Sequence, residues 1–263
     1  MGQTLVKDVL YRASVLAQDV EPQFTRWPER EMVTWLNDGQ RAIYKYLPMA
    51  GSRVDAVKLA PGTRQHIGKI LAANIVPGDG STPADVAGQF LFDVIRNMGA
   101  DGLTPGKPIR VISREVLDTQ TAGWHSAEVA GGVRQYVFDP RTPKVFYVSP
   151  PVPATPAQWV EIAYLAQPVN VPNTGTPSAP AYAMDGSSTV TITIDDQYID
   201  DLVNYIVARA YSKDAEFSAK GELAVAYTNM FLQSLNAQVQ ALTGKSPNIK
   251  MLPLAAEIQA GTA

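Results

Sequence analysis

The sequence predicts an α+β protein in which helices from both ends of the chain enclose a β-rich middle. Apolar residues recur at helical spacing over residues 4–47 and again over residues 195–242. The residues between them are rich in Gly, Pro and β-branched side chains and contain no amphipathic stretch of comparable length. Because the apolar helical faces must be buried, we expect the two ends to form a four-helix body with an inserted antiparallel β-rich domain.

Composition is typical of a folded protein and excludes several classes of function. The 263 residues are 46% hydrophobic and 18% charged. The absence of cysteine excludes disulfides, thiol catalysis and cysteine-ligated zinc. No segment approaches the roughly 20 apolar residues of a membrane-spanning helix, and the first residues carry no apolar signal segment, so we expect no membrane partner. The net charge of -3, without a basic stripe, argues against a protein that grips duplex DNA.

Two helices are predicted before residue 50. The first covers Thr4–Gln18, with Thr4 as its N-cap. The second follows Pro28, which suits the first helical turn, and its apolar stripe continues to Leu47. Gly39 lies inside this helix, where it costs about 1 kcal/mol relative to Ala. A close helix–helix contact or a contact between subunits would explain that glycine.

The middle of the chain is predicted to form short strands separated by turns rich in Gly and Pro. Residues 90–98 fit either type of element, and Pro108–Leu117 is expected to be a short helix. A tight turn at residues 138–143 predicts a hairpin that continues as an antiparallel meander to residue 166. Residues 168–188 are expected to form a long loop. The predicted strands cover residues 57–59, 66–76, 134–139, 144–149, 159–166 and 189–194.

Two further helices are predicted near the C-terminus. Asp195 and Asp196 suit the start of the third, which ends near Asp214. The fourth covers residues 219–242 and is stopped by Gly244. Its predicted apolar face contains Leu223, Tyr227, Met230, Phe231, Leu235 and Val239. The predicted domains are therefore residues 1–50 with 195–243 as a helical body, residues 51–194 as an inserted domain, and residues 244–263 as an extended tail.

The sequence contains no arrangement typical of an enzyme, a cofactor site or a metal site. His66 and His125 are the two histidines, and they lack the spacing of a helical zinc motif. The glycine-rich turns lack the lysine of a phosphate-binding loop. The aspartates of residues 195–201 invite a carboxylate site, but complementing the dipole of a helix explains them better. We therefore expect no catalytic residue, no cofactor and no metal.

Several segments of the sequence resemble segments of the phage head-to-tail adaptor proteins. Trp27–Met32 and Trp35–Arg41 are similar to the opening of these proteins, and Asp201–Glu216 is similar to their third helix and the turn after it. The resemblance continues through the middle of the chain in Arg96–Gly102, Trp124–His125, Phe138–Pro140 and Phe146–Pro151. Tail tubular protein A of short-tailed phages shares the general plan.

The resemblance implies a structural virion protein that is made in the host cytoplasm and located at the head–tail junction. It implies a homo-oligomeric ring, commonly of twelve copies, that attaches beneath the portal and extends the DNA channel. The ring would also be the docking platform for the next tail component, a tube or nozzle protein. Double-stranded DNA would pass through the lumen without specific binding.

Two sets of residues are candidates for assembly contacts. The C-terminal segment of such adaptors commonly reaches the portal. Here the candidates for portal binding are Met251, Leu252, Leu254 and Ile258. Tyrosine offers contact area together with a polar group, although core packing also explains tyrosines on helices. The candidates for contacts between subunits are Trp35, Gly39, Arg41, Tyr205, Arg209 and Tyr211.

Two alternatives remain open from the sequence. The β-rich domain could be a tail-associated module that binds a receptor or a carbohydrate, with Trp124 and Trp159 exposed as platforms on which sugars stack. A hydrolase that uses paired carboxylates is the other alternative.

Overall fold

A computed structural model describes residues 2–19, 26–128, 131–172, 189–214 and 218–245. Over these ranges the chain forms five α-helices: α1 (Val6–Ala17), α2 (Glu29–Tyr46), α3 (Arg114–Gln120), α4 (Ile199–Lys213) and α5 (Ser218–Lys245). The same ranges contain nine β-strands: β1 (Ser52–Lys58), β2 (Gly62–His66), β3 (Ile75–Pro77), β4 (Gly88–Met98), β5 (Pro105–Pro108), β6 (Arg110–Val111), β7 (Gln135–Phe138), β8 (Val145–Val152) and β9 (Trp159–Ala166). The predicted α+β class is confirmed.

The described residues divide into two compact units. The helical unit comes from Met1–Leu47 and Val169–Ala263, and the β unit is Pro48–Pro168. The sequence predicted the change from the β-rich part to the helical part at residue 194. In the structure the residues just after Pro168 already belong to the helical unit, where Val171 is buried.

The helix α4 is the centre of the helical unit, because α1, α2 and α5 each pack against it. Its buried residues leave the helix in several directions, and Leu202, Val203, Ile206 and Val207 are all nearly inaccessible. The dense packing explains why α4 is apolar on more than one face. A surface helix needs only one apolar stripe.

The start of α1 differs from its prediction. The N-cap position is Leu5, which makes no side-chain capping bond, so the prediction of Thr4 as N-cap is wrong. The carboxylate of Asp196 instead accepts from the backbone N–H of Gln3 and Thr4, at 3.0 Å each. Thr191 forms an isolated antiparallel bridge with Leu5. The sequence predicted a strand over residues 189–194, and the structure has this isolated bridge there instead.

The β unit contains two sheets. One has five strands in the order β3-β1-β9-β4-β5, and all of its pairs are antiparallel. The other has four strands in the order β2-β8-β7-β6, and its β6–β7 pair is parallel. Apolar side chains from both sheets form a common core that includes Leu91, Val94, Phe146, Val148 and Val160.

The predicted meander is only partly correct. Strands β7 and β8 form the predicted antiparallel hairpin. The next strand, β9, leaves that sheet and inserts between β1 and β4 of the other, so the meander prediction is wrong for its third strand. Residues 90–98 belong to a strand, β4. The helix predicted over Pro108–Leu117 begins later, at Arg114, because Ser113 Oγ accepts from Val116 N and caps it there.

The long helix α5 also departs from its prediction. It continues to Lys245, so Gly244 does not stop it. Ala224, Phe231 and Leu235 are buried, as Phe231 and Leu235 were predicted to be. Leu223 and Met230 were predicted on the same apolar face, but they are exposed. The error arises because apolar residues occur around much of α5, so periodicity alone does not select the buried side.

Candidate assembly surface

The two histidines have structural roles. Nδ1 of His125 lies 2.9 Å from the hydroxyl of Thr63, and its ring stacks on Trp124 with 3.6 Å between the ring centroids. Nδ1 of His66 accepts from Gly68 N at 3.0 Å. The described part of the chain contains no group of three or more His, Cys, Asp or Glu residues that could hold a metal ion. No helix in the described ranges is long and apolar enough to cross a membrane.

The aspartates at the start of α4 act separately. Asp195 accepts from Gln197 N at 3.1 Å and caps the short turn before α4, as the sequence predicted for this residue. Backbone N–H donors from Gln3 and Thr4 lower the pKa of Asp196. Asp201 is buried against α5, where Gln238 Nε2 donates to its Oδ2 at 3.1 Å. Burial raises the pKa of Asp201. These aspartates therefore bind different parts of the chain and do not converge on one site.

Two of the predicted interface residues are buried within the chain. A Cβ added to Gly39 would lie 3.1 Å from Leu202 Cδ2 and 3.1 Å from Tyr205 Cδ1, so this glycine permits α2 to approach α4 closely. Tyr211 packs edge-on against Trp27 and donates from its hydroxyl to the Leu16 carbonyl at 3.1 Å. Packing inside one chain therefore accounts for both residues, and their contact with a neighbouring subunit stays a prediction.

Other predicted interface residues lie at the surface. Trp35 is half-buried on α2, and Arg41 is exposed and paired with Asp38 at 3.0 Å. Tyr205 and Arg209 lie together on α4. The guanidinium of Arg209 donates to the Tyr205 hydroxyl at 3.1 Å from Nε and at 2.8 Å from Nη2.

Tyr205 and Arg209 line a groove between α2, α4 and α5, which we call the α4–α5 groove. It has a volume of about 360 Å³. Its aromatic residues contact each other edge-to-face: the ring of Phe231 lies 5.3 Å from Tyr205 and 6.3 Å from Tyr46. Tyr46 remains 53% exposed. The remaining lining residues are Ala42, Lys45, Ala208, Ser212, Thr228 and Leu232.

The charge of the α4–α5 groove is positive. Of the described residues that line it, two are charged, Lys45 and Arg209, and both are exposed cations. Because the lining combines aromatic rings with two cations and no carboxylate, its surface matches an apolar partner that carries negative charge.

A second apolar surface lies along α1, and we call it the α1 face. Tyr11, Val15 and Leu16 are each between 43% and 50% exposed. With Arg12, and with Asp200 and Val203 of α4, they line a shallow hollow of about 360 Å³. A neighbouring hollow that shares Tyr11 and Arg12 also contains Asp8. The α1 face therefore presents apolar side chains beside two exposed carboxylates, those of Asp8 and Asp200.

The sequence did not identify the α1 face as a site. Leu16 recurs at helical spacing with Leu5, Val9, Leu10 and Ala13, a pattern that predicts burial of all five. The structure leaves Leu16 43% exposed. The sequence does contain a signal for this surface, which is the total number of apolar residues in α1. Tyr11 and Val15 lie outside the stripe that buries Val9, Leu10 and Ala13, so α1 has more apolar surface than one stripe uses.

Of the two tryptophans proposed as sugar platforms, Trp124 does not have the exposure that this role requires. Trp124 is 2% exposed, and its Nε1 donates to Asp118 Oδ1 at 2.7 Å. Trp159 is half-buried, and the backbone of Gly102 packs against its ring. The expectation that Trp124 is exposed is therefore wrong.

The candidates for portal binding, Met251, Leu252, Leu254 and Ile258, lie outside the described residues.

The chain matches a known protein family over nearly its whole length. The model of the SU10 adaptor protein family covers residues 4–250 and so includes parts of both units. No curated protein matches the chain. The match confirms the predicted relationship to phage head-to-tail adaptors, whereas the likeness in plan to tail tubular protein A stays a prediction. The chain belongs to the SU10 adaptor protein family and is a structural adaptor of the phage virion.

Proposed function

We propose that this adaptor forms a closed ring of its own copies, twelve by the family resemblance, beneath the portal of the phage head. The ring extends the DNA channel and provides the platform on which the next tail component docks. The observation that carries the proposal is the family match over residues 4–250, because an adaptor joins portal and tail components.

The helical unit supports the ring part of the proposal. It displays two separate surfaces with exposed apolar side chains: the α1 face, through Tyr11, Val15 and Leu16, and the α4–α5 groove, through Tyr46 above the buried ring of Phe231. Contiguous apolar patches on a protein surface commonly mark interaction sites. A ring needs two different surfaces on each subunit, because each subunit contacts its two neighbours through different patches.

The charge of the chain supports passage of DNA without binding. The net charge is -3, and proteins that hold duplex DNA ordinarily present clustered cations to its phosphates. A ring whose lumen face is also acidic would repel the duplex and let it slide.

We assign portal docking to the C-terminal segment, residues 244–263. Met251, Leu252, Leu254 and Ile258 supply apolar side chains whose burial on the portal would offset the entropy lost when the segment is ordered. The β unit is assigned to the tail side of the ring.

Mass measurement of the purified chain, alone and mixed with the portal protein of the same phage, tests the proposal. We expect a monomer alone and a ring on the portal when both proteins are present. Replacement of Leu252 and Leu254 by Asp should reduce portal binding, whereas Leu103→Asp, at a position 66% exposed in the β unit, should not. No association with the portal would contradict the proposal, and a stable ring without portal would change the order of assembly.

A further inference from the structure

We propose that the ring is built by one repeated contact, in which the α1 face of each copy lies in the α4–α5 groove of the next copy. This inference rests on the ring proposed above and names the surfaces that form it. Its basis is the complementarity of the two surfaces: both present apolar side chains, the groove carries Lys45 and Arg209, and the α1 face carries Asp8 and Asp200.

The two surfaces face in opposite directions, so a subunit does not bring them together itself. Val203 lines the α1 face and Tyr205 lines the groove. These residues are two positions apart on α4, so at roughly 100° per residue their side chains leave the helix about 160° apart. A contact between unlike surfaces on opposite sides of a subunit is heterologous, and it generates a ring when the rotation per subunit closes.

The chemistry of the contact is burial of apolar and aromatic surface with charge complementarity at its edge. Tyr11, Val15 and Leu16 would cover the exposed side of Tyr46 and the floor formed by Phe231. The carboxylates of Asp8 and Asp200 would then lie near Lys45 and Arg209. Charge pairs at the edge of an interface mainly fix its register and exclude wrong partners, while the apolar centre supplies affinity.

A neighbouring copy matches the groove better than the chain's own C-terminal segment does. The side chains of residues 246–263 include one cation, Lys250, and one anion, Glu257, so they offer no excess of negative charge to the two cations of the groove. The α1 face offers two carboxylates against one cation, Arg12. Charge complementarity therefore favours a second copy of the chain.

The absence of native cysteine makes a direct test possible by site-specific crosslinking. A chain with both Val15→Cys and Thr228→Cys carries one thiol on the α1 face and one on the edge of the groove. When the ring is assembled on the portal protein and oxidised with diamide, we expect a ladder of covalent oligomers. The matched control carries Val15→Cys together with Gln233→Cys and keeps Thr228. Gln233 is exposed on α5 five positions away, and its side chain leaves the helix about 140° from that of Thr228. The control should give no ladder.

Charge reversal supplies a second readout. The pair Lys45→Glu and Arg209→Glu should weaken ring formation by about tenfold or more, because like charges then meet across the contact. The pair Asp8→Lys and Asp200→Lys should do the same. A chain that carries all four changes should recover ring formation. Circular dichroism of each variant shows whether it is folded.

The outcomes separate this inference from the adaptor role. A ring that forms on the portal without a Val15–Thr228 ladder overturns the proposed contact and leaves the adaptor role intact. A chain whose Thr228→Cys crosslinks to Met251→Cys of the same molecule, instead of to its neighbour, also overturns the contact. A wild-type chain that does not assemble on the portal overturns the ring and this contact together.

Discussion

The side chain of Asn37 and the backbone of Val171 exchange two hydrogen bonds inside the helical unit. Asn37 Nδ2 donates to the Val171 carbonyl at 2.9 Å, and Val171 N donates to Asn37 Oδ1 at 2.8 Å. Gln40 has a similar role one turn later on α2, since its Oε1 accepts from Thr193 N at 3.0 Å. Buried polar side chains of α2 therefore attach the chain on both sides of residues 173–188 to the helical unit.

Asn37→Ala should lower the free energy of unfolding by about 2–4 kcal/mol, because it leaves the N–H and C=O of Val171 buried without their partner. Denaturant titration of the full chain measures the change. The control is Asp38→Ala, which removes an exposed ion pair with Arg41 and should change stability by less than about 1 kcal/mol. A loss for Asn37→Ala as small as that of the control would contradict the assigned role.

Gly39 should tolerate Ala but not a large side chain. A methyl group there would lie 3.1 Å from atoms of Leu202 and Tyr205, so the resulting strain should roughly cancel the gain of about 1 kcal/mol in helix propensity. Gly39→Leu should cost about 3 kcal/mol, because the larger side chain separates α2 from α4. Thermal unfolding checks both values. Thr34→Leu, on the exposed side of α2, should change stability by less than about 0.5 kcal/mol.

The same glycine distinguishes an intrachain role from a role between subunits. Because its neighbours belong to the same chain, Gly39→Ala should assemble on the portal as the wild-type chain does. Normal folding combined with a loss of the ring would show that Gly39 contacts another subunit.

Asp201 should make stability depend on pH. It is 2% exposed, and among the described residues its Oδ1 has no hydrogen-bond partner. Burial raises its pKa, and the negative charge of Asp200 adds to this, while hydrogen bonds from Ser234 and Gln238 oppose it. A raised folded-state pKa means that the contribution to stability is fully present below the ordinary value of 3.8 and is lost as pH rises through the folded value.

Asp201→Asn should therefore be more stable than the wild-type chain at neutral pH, by about 1 kcal/mol, because it removes a buried charge. The difference should disappear near pH 3, where the carboxyl is protonated. Denaturant titrations across this pH range measure the difference, with Asp200→Asn at an exposed position as control. An Asp201→Asn variant that is less stable than wild type at pH 7 would show that the buried charge is favourable.

Trp124 should contribute to the stability of the β unit and not to recognition of sugars. Trp124→Ala should cost about 3–5 kcal/mol, because it removes a buried ring that contacts His125 and Tyr147. Unfolding of the full chain, together with glycan binding by the folded wild-type protein, tests this. If Trp124→Ala keeps the stability of the wild-type chain but loses glycan binding, the carbohydrate-binding alternative is restored.

The sequence predicted the elements of the fold better than their arrangement. Periodicity identified α2 and α4, and it located β9 at its observed ends, because apolar residues recur in these elements at the spacing of a helix or of a strand. The position of β9 between β1 and β4 was not predicted. Strand pairing depends on contacts between residues far apart in sequence, such as Val57 with Val160, and a local pattern does not contain that information.

The candidate surface was predicted in part, for a related reason. Tyr205 and Arg209 were selected from the sequence and do line the α4–α5 groove. Gly39 and Tyr211 were selected by the same criteria, yet other helices of the same chain bury them. Residue type shows that a position favours close packing or aromatic contact. Only the arrangement of α1, α2 and α5 around α4 determines which positions remain exposed.

Electron microscopy of the intact phage particle tests the proposed function most directly. We expect a closed ring of this chain between the portal and the first tail component, with its helical units side by side around the channel. A head–tail junction that contains no copy of this chain would contradict the proposed function.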